Sequence, residues 1–213
     1  MKRKVLIISL ITLIILTGCV NNNTDNNNLD NNEEKISQEK INEEKIFNVL
    51  NNKEKIVTEK GNEVYLKDYI LLEDYENENL KAIPYEYTLV DFDADQKEEM
   101  VVNISYDFGN MLVLHYNGQK VYGYEFVYRG MSTINKDGSF MGSNGAASSY
   151  YCRLSFEGNK KIIQEEAIED TDEDIYQING KKVSAKEIDK FTKEWHLKEK
   201  VNWIKLKDTP KEE

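Results

Sequence analysis

The residues whose types and spacing best suit chemistry are acidic side chains within one short stretch. Asp91, Asp93 and Asp95 alternate, and Glu99 follows four residues after the last of them. Carboxylate oxygens that a tight loop brings together are the ligands that a hard cation such as calcium prefers. The spacing therefore predicts a cation site. The other interpretation, a solvated acidic turn that holds no metal, stays open.

Two apolar runs flank these acids and must position them. Residues 85–90 precede the acidic loop and residues 100–104 follow it, and both are rich in β-branched, aromatic and aliphatic side chains. Such runs on either side of a polar loop favour two paired strands. We therefore expect the acids at the end of a β-hairpin.

At this point the chain resembles a known motif. Residues 87–101 are similar to the Asp-x-Asp-x-Asp-Gly-x-x-Glu signature of FG-GAP/VCBS-type β-hairpins and of uncharacterised surface lipoproteins of Gram-positive bacteria. The resemblance implies a calcium site with five ligand residues: Asp91, Asp93, Asp95 and Glu99 through their carboxylates, and Lys97 through its backbone carbonyl. Gln96 stands where the signature has glycine. That position needs a positive φ, which costs a non-glycine residue about 1 kcal/mol.

A second candidate site combines aromatic rings with a segment rich in glycine and serine, residues 129–149. Tyrosines alternate before this segment, so their rings share one face of a strand. We predict a surface for a sugar or a peptide formed by four residues: Tyr122, Tyr124, Tyr128 and Arg129. The alternative is core packing of the rings, with Arg129 as an internal partner for an acid such as Asp137.

Catalysis finds little support in the sequence. Motifs of serine hydrolases, zinc peptidases and phosphate-binding loops are missing, and His115 and His196 lie far apart. Cys152 lies in a β-like run and is expected to be a small buried residue. We expect no enzyme. The alternative, an enzyme that acts on cell-wall material through the acidic cluster, stays open.

The N-terminus carries a targeting signal. Lys2, Arg3 and Lys4 precede an apolar run at 5–16, which ends in Leu-Thr-Gly-Cys with the cysteine at position 19. The run suits the core of a signal peptide, and its end resembles the bacterial lipobox. We predict that residues 1–18 are removed and that Cys19 is lipidated. The alternative is a short membrane anchor with an incidental cysteine.

Charge and composition limit the partners and divide the chain. Removing residues 1–18 takes away three basic and no acidic residues, so the formal charge moves from −11 to −14. Such a charge disfavours nucleic acid and anionic lipid surfaces. Residues 19–33 contain eight asparagines and predict a flexible tether. Residues 34–207 are expected to form one domain and 208–213 a frayed tail.

The predicted fold class is α+β, a mainly antiparallel sheet with an N-terminal and a C-terminal helix. Ser184 and Glu187 form a capping box before an apolar stripe and predict the second helix. Glycine-containing turns separate the predicted strands, which are 85–92, 98–105, 110–117, 119–128, 149–157, 160–168, 174–179 and 201–204.

Together these features predict a monomeric, membrane-anchored lipoprotein on the outer face of the cell membrane. We expect a non-enzymatic module that binds a protein or glycan of the envelope, with calcium as a candidate cofactor.

Overall fold

The computed structural model describes residues 40–71, 81–105 and 109–206. The predictions for the leader, Cys19, the tether and the tail at 208–213 lie outside these residues. A search of the described residues found no helix with the length and apolar character needed to cross a membrane.

Strands are the main regular element of the described chain. In chain order they are β1 (Ile56–Thr58), β2 (Glu63–Val64), β3 (Glu86–Val90), β4 (Glu99–Asn103), β5 (Met111–Tyr116), β6 (Val121–Phe126), β7 (Thr133–Ile134), β8 (Ser139–Gly145), β9 (Ser148–Glu157), β10 (Lys160–Asp170), β11 (Ile175–Ile178), β12 (Lys181–Lys182) and β13 (Ile204–Lys205).

These strands form two sheets. The larger has the order β13-β3-β4-β5-β6-β1-β2, and the smaller has the order β12-β11-β10-β9-β8-β7. Every pairing is antiparallel except that of β1 with β6, which is parallel. The predicted α+β class with a mainly antiparallel architecture is therefore confirmed.

Two α-helices accompany the sheets, α1 over residues 40–50 and α2 over Ala185–His196, and a short 3₁₀-helix spans Leu66–Asp68. The predicted capping box is present at the start of α2. The Glu187 N–H donates to the Ser184 hydroxyl, and the Glu187 carboxylate accepts from the Ser184 N–H. The box thus provides acceptors for the N–H groups of the N-cap residue and of Glu187 in the first turn.

Three buried clusters define the layers. On one face of the larger sheet, Ile46 and Val49 of α1 pack with strand residues such as Met100. The opposite face packs against the smaller sheet, and this inter-sheet core includes Val113 and Phe140. The third cluster joins the outer face of the smaller sheet to α2. The order of layers is therefore helix, sheet, sheet, helix.

The turn chemistry fits the sequence at the end of β11. Asn179 and Gly180 have φ values of 49° and 70° and separate the paired residues Ile178 and Lys181. Asparagine and glycine tolerate positive φ better than other residues, which makes this tight turn possible.

The structure differs from the sequence-based predictions in three places. The predicted glycine-rich loop at 129–149 contains β7, all of β8 and the start of β9. A Cβ on Gly142 would lie 2.3 Å from the Tyr150 ring, so glycine serves close packing in a strand there. Of the predicted strand at 201–204, only Ile204 belongs to a strand, β13. Finally, β1 was not predicted, because three residues show too little periodicity.

Candidate functional site

The β3–β4 hairpin positions the acidic loop. Asp91 directly follows β3, and Glu99 is the first residue of β4, opposite Val90 in the strand register. Both strands bury apolar side chains, including Val90 and Val101, in the inter-sheet core. Period-two alternation therefore turns Glu99, two residues before Val101, toward that same core. The expected hairpin is confirmed.

Three carboxylates converge at this end of the sheet. Ligand oxygens of Asp91, Asp93 and Glu99 lie within 4.8 Å of one another, so the group could hold a metal ion. The Asp91 Oδ1 atom is buried and has no hydrogen-bond partner in the described structure. A buried carboxylate oxygen without a donor is costly, and a bound cation would remove that cost.

Glu99 is the most constrained of the three. Its side chain is almost fully buried. Its Oε2 accepts the Phe92 N–H at 3.2 Å, and its Oε1 lies 3.0 Å from Nδ1 of His115. The His115 ring stacks on Phe156 of β9 at a centroid distance of 4.0 Å. These contacts fix the Glu99 carboxylate, as outer partners do for ligands of metal sites.

The electrostatics of the loop favour neutralisation. Burial, followed by the charge of Asp95, raises the pKa of Asp93 above its ordinary value. Burial also raises the pKa of Glu99, although hydrogen bonds from His115 and Phe92 oppose the shift. A raised pKa means that the ionised form is less favourable in the folded chain than in the unfolded one. A proton or a cation at the cluster would relieve that cost.

The Asp95 carboxylate, a predicted ligand, forms its contacts within the loop instead. The Lys97 N–H donates to Asp95 Oδ1 at 2.8 Å, and the Lys97 ammonium donates to Asp95 Oδ2 at 2.8 Å. Both carboxylate oxygens of Asp95 are therefore engaged within the loop. The structure brings together the carboxylates of Asp91, Asp93 and Glu99 but leaves that of Asp95 outside the convergent group, and the backbone carbonyl of Lys97 stays a predicted ligand.

The loop backbone has the unusual conformation that the resemblance implied. Gln96 has φ 70° and Ala94 has φ 61°, both in the left-handed region. The Gln96 N–H donates to Asp91 Oδ2 at 2.9 Å, which helps to close the loop. Gly138, in the turn before β8, packs against the backbone of Asp91 and Phe92. The smaller sheet therefore contacts the loop directly.

The predicted ligand-binding residues separate into two environments. Tyr122 and Tyr124 stack on each other and belong to the inter-sheet core, where Tyr124 is 2% exposed. Tyr128 lies beyond the end of β6 and is 54% exposed, with the Arg129 guanidinium 4.9 Å from its ring centre. Only Tyr128 and Arg129 thus present a surface, and the binding role of the four residues stays a prediction.

The acid named as a partner for Arg129 is paired with other residues. Lys198 lies 2.9 Å and Arg153 lies 3.5 Å from Oδ2 of Asp137. Burial raises the pKa of Asp137, but hydrogen bonds from Ser139 and Lys198 outweigh it and hold the pKa at about 2. The alternative in which Arg129 pairs with Asp137 does not hold in the described structure, because Arg153 and Lys198 form the ion pairs with Asp137.

The same network contains buried polar residues that the sequence did not identify. Asn135 and Ser139 are fully buried. The Asn135 amide donates to the Ser139 hydroxyl at 2.9 Å, and the Lys200 ammonium donates to the Asn135 carbonyl at 2.7 Å. Nothing local marks these contacts, since Lys200 lies beyond α2.

Cys152 is buried, as predicted, and burial raises the pKa of its thiol to about 12. The reactive thiolate is therefore disfavoured at neutral pH. The contact of His115 with Glu99 could not be predicted from the sequence and is visible only in the fold.

Comparison with known proteins identifies no relative of this chain. No protein-family model matches the chain, and no curated protein or solved structure shows significant similarity to it.

Proposed function

We propose that this chain is a lipid-anchored, extracytoplasmic binding domain whose acidic loop binds calcium and that does not itself catalyse a reaction. The observation that carries the calcium assignment is the convergence of Asp91, Asp93 and Glu99 around the unpartnered Asp91 oxygen. Oxygen-only ligands favour calcium or magnesium over softer metals. Carboxylate ligands carried by a short loop suit the adaptable coordination of calcium.

The anchor rests on the leader. The basic start, the apolar run and Cys19 together support export, followed by attachment of the cysteine to lipid. With the domain outside the membrane, the loop would meet extracellular calcium, for which weak binding of about 10⁻⁴–10⁻³ M is sufficient.

One cleft between the two sheets supports the proposed role in binding. It measures about 490 Å³ and is lined by residues of both sheets, including Glu125 and Glu165. The Glu125 carboxylate points to the other side of its sheet, where it accepts from Tyr69 and Asn110 at 3.0 and 2.8 Å. Among the described residues that line the cleft, Glu165 thus supplies the one carboxylate that faces it, whereas an acid–base pair needs two.

Calcium binding can be tested on two aspartates of one loop. Asp93→Asn removes a charge from the convergent group, whereas Asp95→Asn removes a charge that Lys97 engages. We expect millimolar calcium to raise the melting temperature of the wild type and of Asp95→Asn, because a ligand that binds only the folded state stabilises it. Asp93→Asn should lose this shift.

The pH dependence provides the control for that experiment. The raised pKa values of Asp93 and Glu99 mean that protons compete with calcium as the pH falls toward the ordinary carboxyl range. The calcium shift should therefore be full at pH 7 and shrink near pH 4–5. An unchanged melting temperature at pH 7 in millimolar calcium would refute the assignment.

Anchoring has a separate test. Cys19→Ala should block lipidation and shift the protein out of the mature membrane pool. Mass spectrometry of the mature wild type should detect the acyl modification. Retention of the variant in the membrane fraction would contradict the proposal.

A further inference from the structure

The first half of β10 is an unpaired sheet edge. On one side, β9 pairs with β10 from Lys160 onward, but on the other side β11 pairs only with Ala167–Asp170. At the end of the free stretch, the Asn179 N–H donates to the Glu166 carbonyl at 2.7 Å. Within the described residues, positions 160–165 therefore have a strand neighbour on one side only.

The register shows which backbone groups face outward. Glu157 and Lys160 pair across the two-residue turn at Gly158 and Asn159, so Lys160 exchanges its hydrogen bonds with β9. Along a strand, the backbone N–H and C=O groups of successive residues face opposite edges. The N–H and C=O groups of Lys161, Ile163 and Glu165 face the open edge.

This edge carries charged residues, which are a common form of edge protection, but no strand of the described chain pairs with it on its open side. Ile162 and Ile163 are 37% and 44% exposed on opposite faces of the strand. Natural edges are often shortened or covered, because exposed and unpaired strands attract other strands. A β-bulge between Glu165 and Ala167 ends the open stretch but does not cover it.

A cleft lies beneath the same stretch. The side chains that point inward from the open residues line it together with apolar and polar groups of both sheets: Phe126, Val127, Asn144, Tyr150 and Cys152. A strand added beside β10 would send alternate side chains toward this cleft. Main-chain hydrogen bonds give affinity in such complexes, and pockets for alternate side chains give specificity.

The two ends of the open stretch carry opposite charges. The Lys161 ammonium contacts Glu59 at 3.0 Å and the Glu125 carbonyl at 3.3 Å and lies 4.6 Å from the centre of the Phe126 ring, so an incoming acid would share this ammonium with Glu59. Glu165 is exposed and has no ion-pair partner in the described part of the chain. An incoming strand is therefore favoured when it presents a base to Glu165 and an acid to Lys161.

We propose that the β10 edge at 160–165 binds an extended peptide of another protein as an added antiparallel strand. The peptide carries a basic residue opposite Glu165, an apolar residue opposite Ile163 and an acidic residue opposite Lys161. This proposal specifies the partner class of the binding domain proposed above, and it is independent of calcium.

A second copy of the chain fits the edge less well than a short peptide. The segment Lys161-Ile-Ile-Gln-Glu165 has the required order of charges. Pairing two copies about Ile163, however, would place Lys160 against Glu166 of the second copy, where the turn at Asn179 already lies. A peptide that ends at this point meets no such obstacle.

The test uses the full chain in detergent and a labelled synthetic peptide containing Lys-Thr-Val-Thr-Glu. Saturating peptide should slow amide hydrogen exchange at Lys161, Ile163 and Glu165, the residues whose N–H groups face outward. Glu165→Lys should weaken binding of this peptide at least tenfold, and the reversed-charge peptide Glu-Thr-Val-Thr-Lys should recover part of the loss. Glu173→Lys makes the same change of charge away from the edge and should leave the affinity unchanged.

The outcomes separate this proposal from that of calcium binding. Exchange protection and the charge preference should persist with calcium removed, even if the calcium titration fails. Lack of binding at millimolar peptide, or equal losses for Glu165→Lys and Glu173→Lys, would overturn the proposal. Sedimentation of the wild type as a dimer whose β10 amides are already protected would also overturn it, in favour of a second copy.

Discussion

The acidic loop and the 129–149 segment are both dense in polar residues, but the fold treats them differently. In the acidic loop, three carboxylates of like charge approach one another, and Asp91 Oδ1 has no hydrogen-bond partner among the described residues. In the 129–149 segment, buried Asn135 and Ser139 bind each other and two lysines, Lys198 and Lys200. Among the described residues, the three carboxylates of the acidic loop have no cation at their centre. In the 129–149 segment, the buried polar side chains find their hydrogen-bond partners within the chain.

The difference shows how a binding site can be distinguished from a structural network. A polar group that is buried with its partner stabilises the fold modestly, whereas one buried without a partner destabilises it. Gathered charges without a counterion are therefore a reason to look for a ligand. Glycine and serine content gives no such reason, because in β8 these residues serve strand packing.

The largest expected effect comes from the contact between the two regions. Gly138 has φ 77°, and a Cβ there would lie 2.7 Å from the Asp91 carbonyl oxygen and 2.9 Å from the Phe92 Cα. Because both obstacles are backbone atoms, Gly138→Ala should reduce the free energy of unfolding by roughly 3 kcal/mol. It should also weaken calcium binding, since the displaced backbone belongs to the loop.

The control for this substitution is Gly145→Ala, where a Cβ would meet no atom within 4 Å. Its effect on the free energy of unfolding should stay within about 0.5 kcal/mol. Urea denaturation measures both variants. Similar midpoints for the two would show that the regions are not mechanically coupled.

A smaller effect is expected inside the 129–149 network. The pKa of Asp137 is about 2 in the folded chain, below its ordinary value of 3.8. Since the unfolded chain binds the proton first as the pH falls, the ionised carboxylate stabilises the fold above about pH 4, and this contribution is lost toward pH 2. Because the carboxylate is partly exposed, Asp137→Asn should cost only about 1 kcal/mol at pH 7.

The pH profile tells whether this charge is responsible. The difference in stability between the wild type and Asp137→Asn should narrow as the pH falls from 4 to 2, as measured by thermal unfolding. Asp172→Asn, at an exposed turn, is the matched control and should show no difference at any pH. A constant deficit of Asp137→Asn across this range would assign its effect to lost packing instead.

Much of the fold could be predicted because its signals are local. Period-two alternation and turn residues located the hairpins from β3 to β6 and from β9 to β11. The capping box located α2, and the alternation of acids located the hairpin loop. The alternation of tyrosines also predicted a shared face, but not that Tyr124 would be buried against the second sheet.

What the sequence alone determined is the set of elements whose information lies within a few neighbouring residues: strands, turns, the helix cap and the approach of Asp91 to Asp93. Tertiary structure decided the rest. It placed His115 beside Glu99, brought Lys198 to Asp137, and inserted β1 beside β6. Within the described residues, it also left the first half of β10 with a strand neighbour on one side only. These features depend on how sheets and helices pack over long sequence separations, and no local pattern encodes that packing.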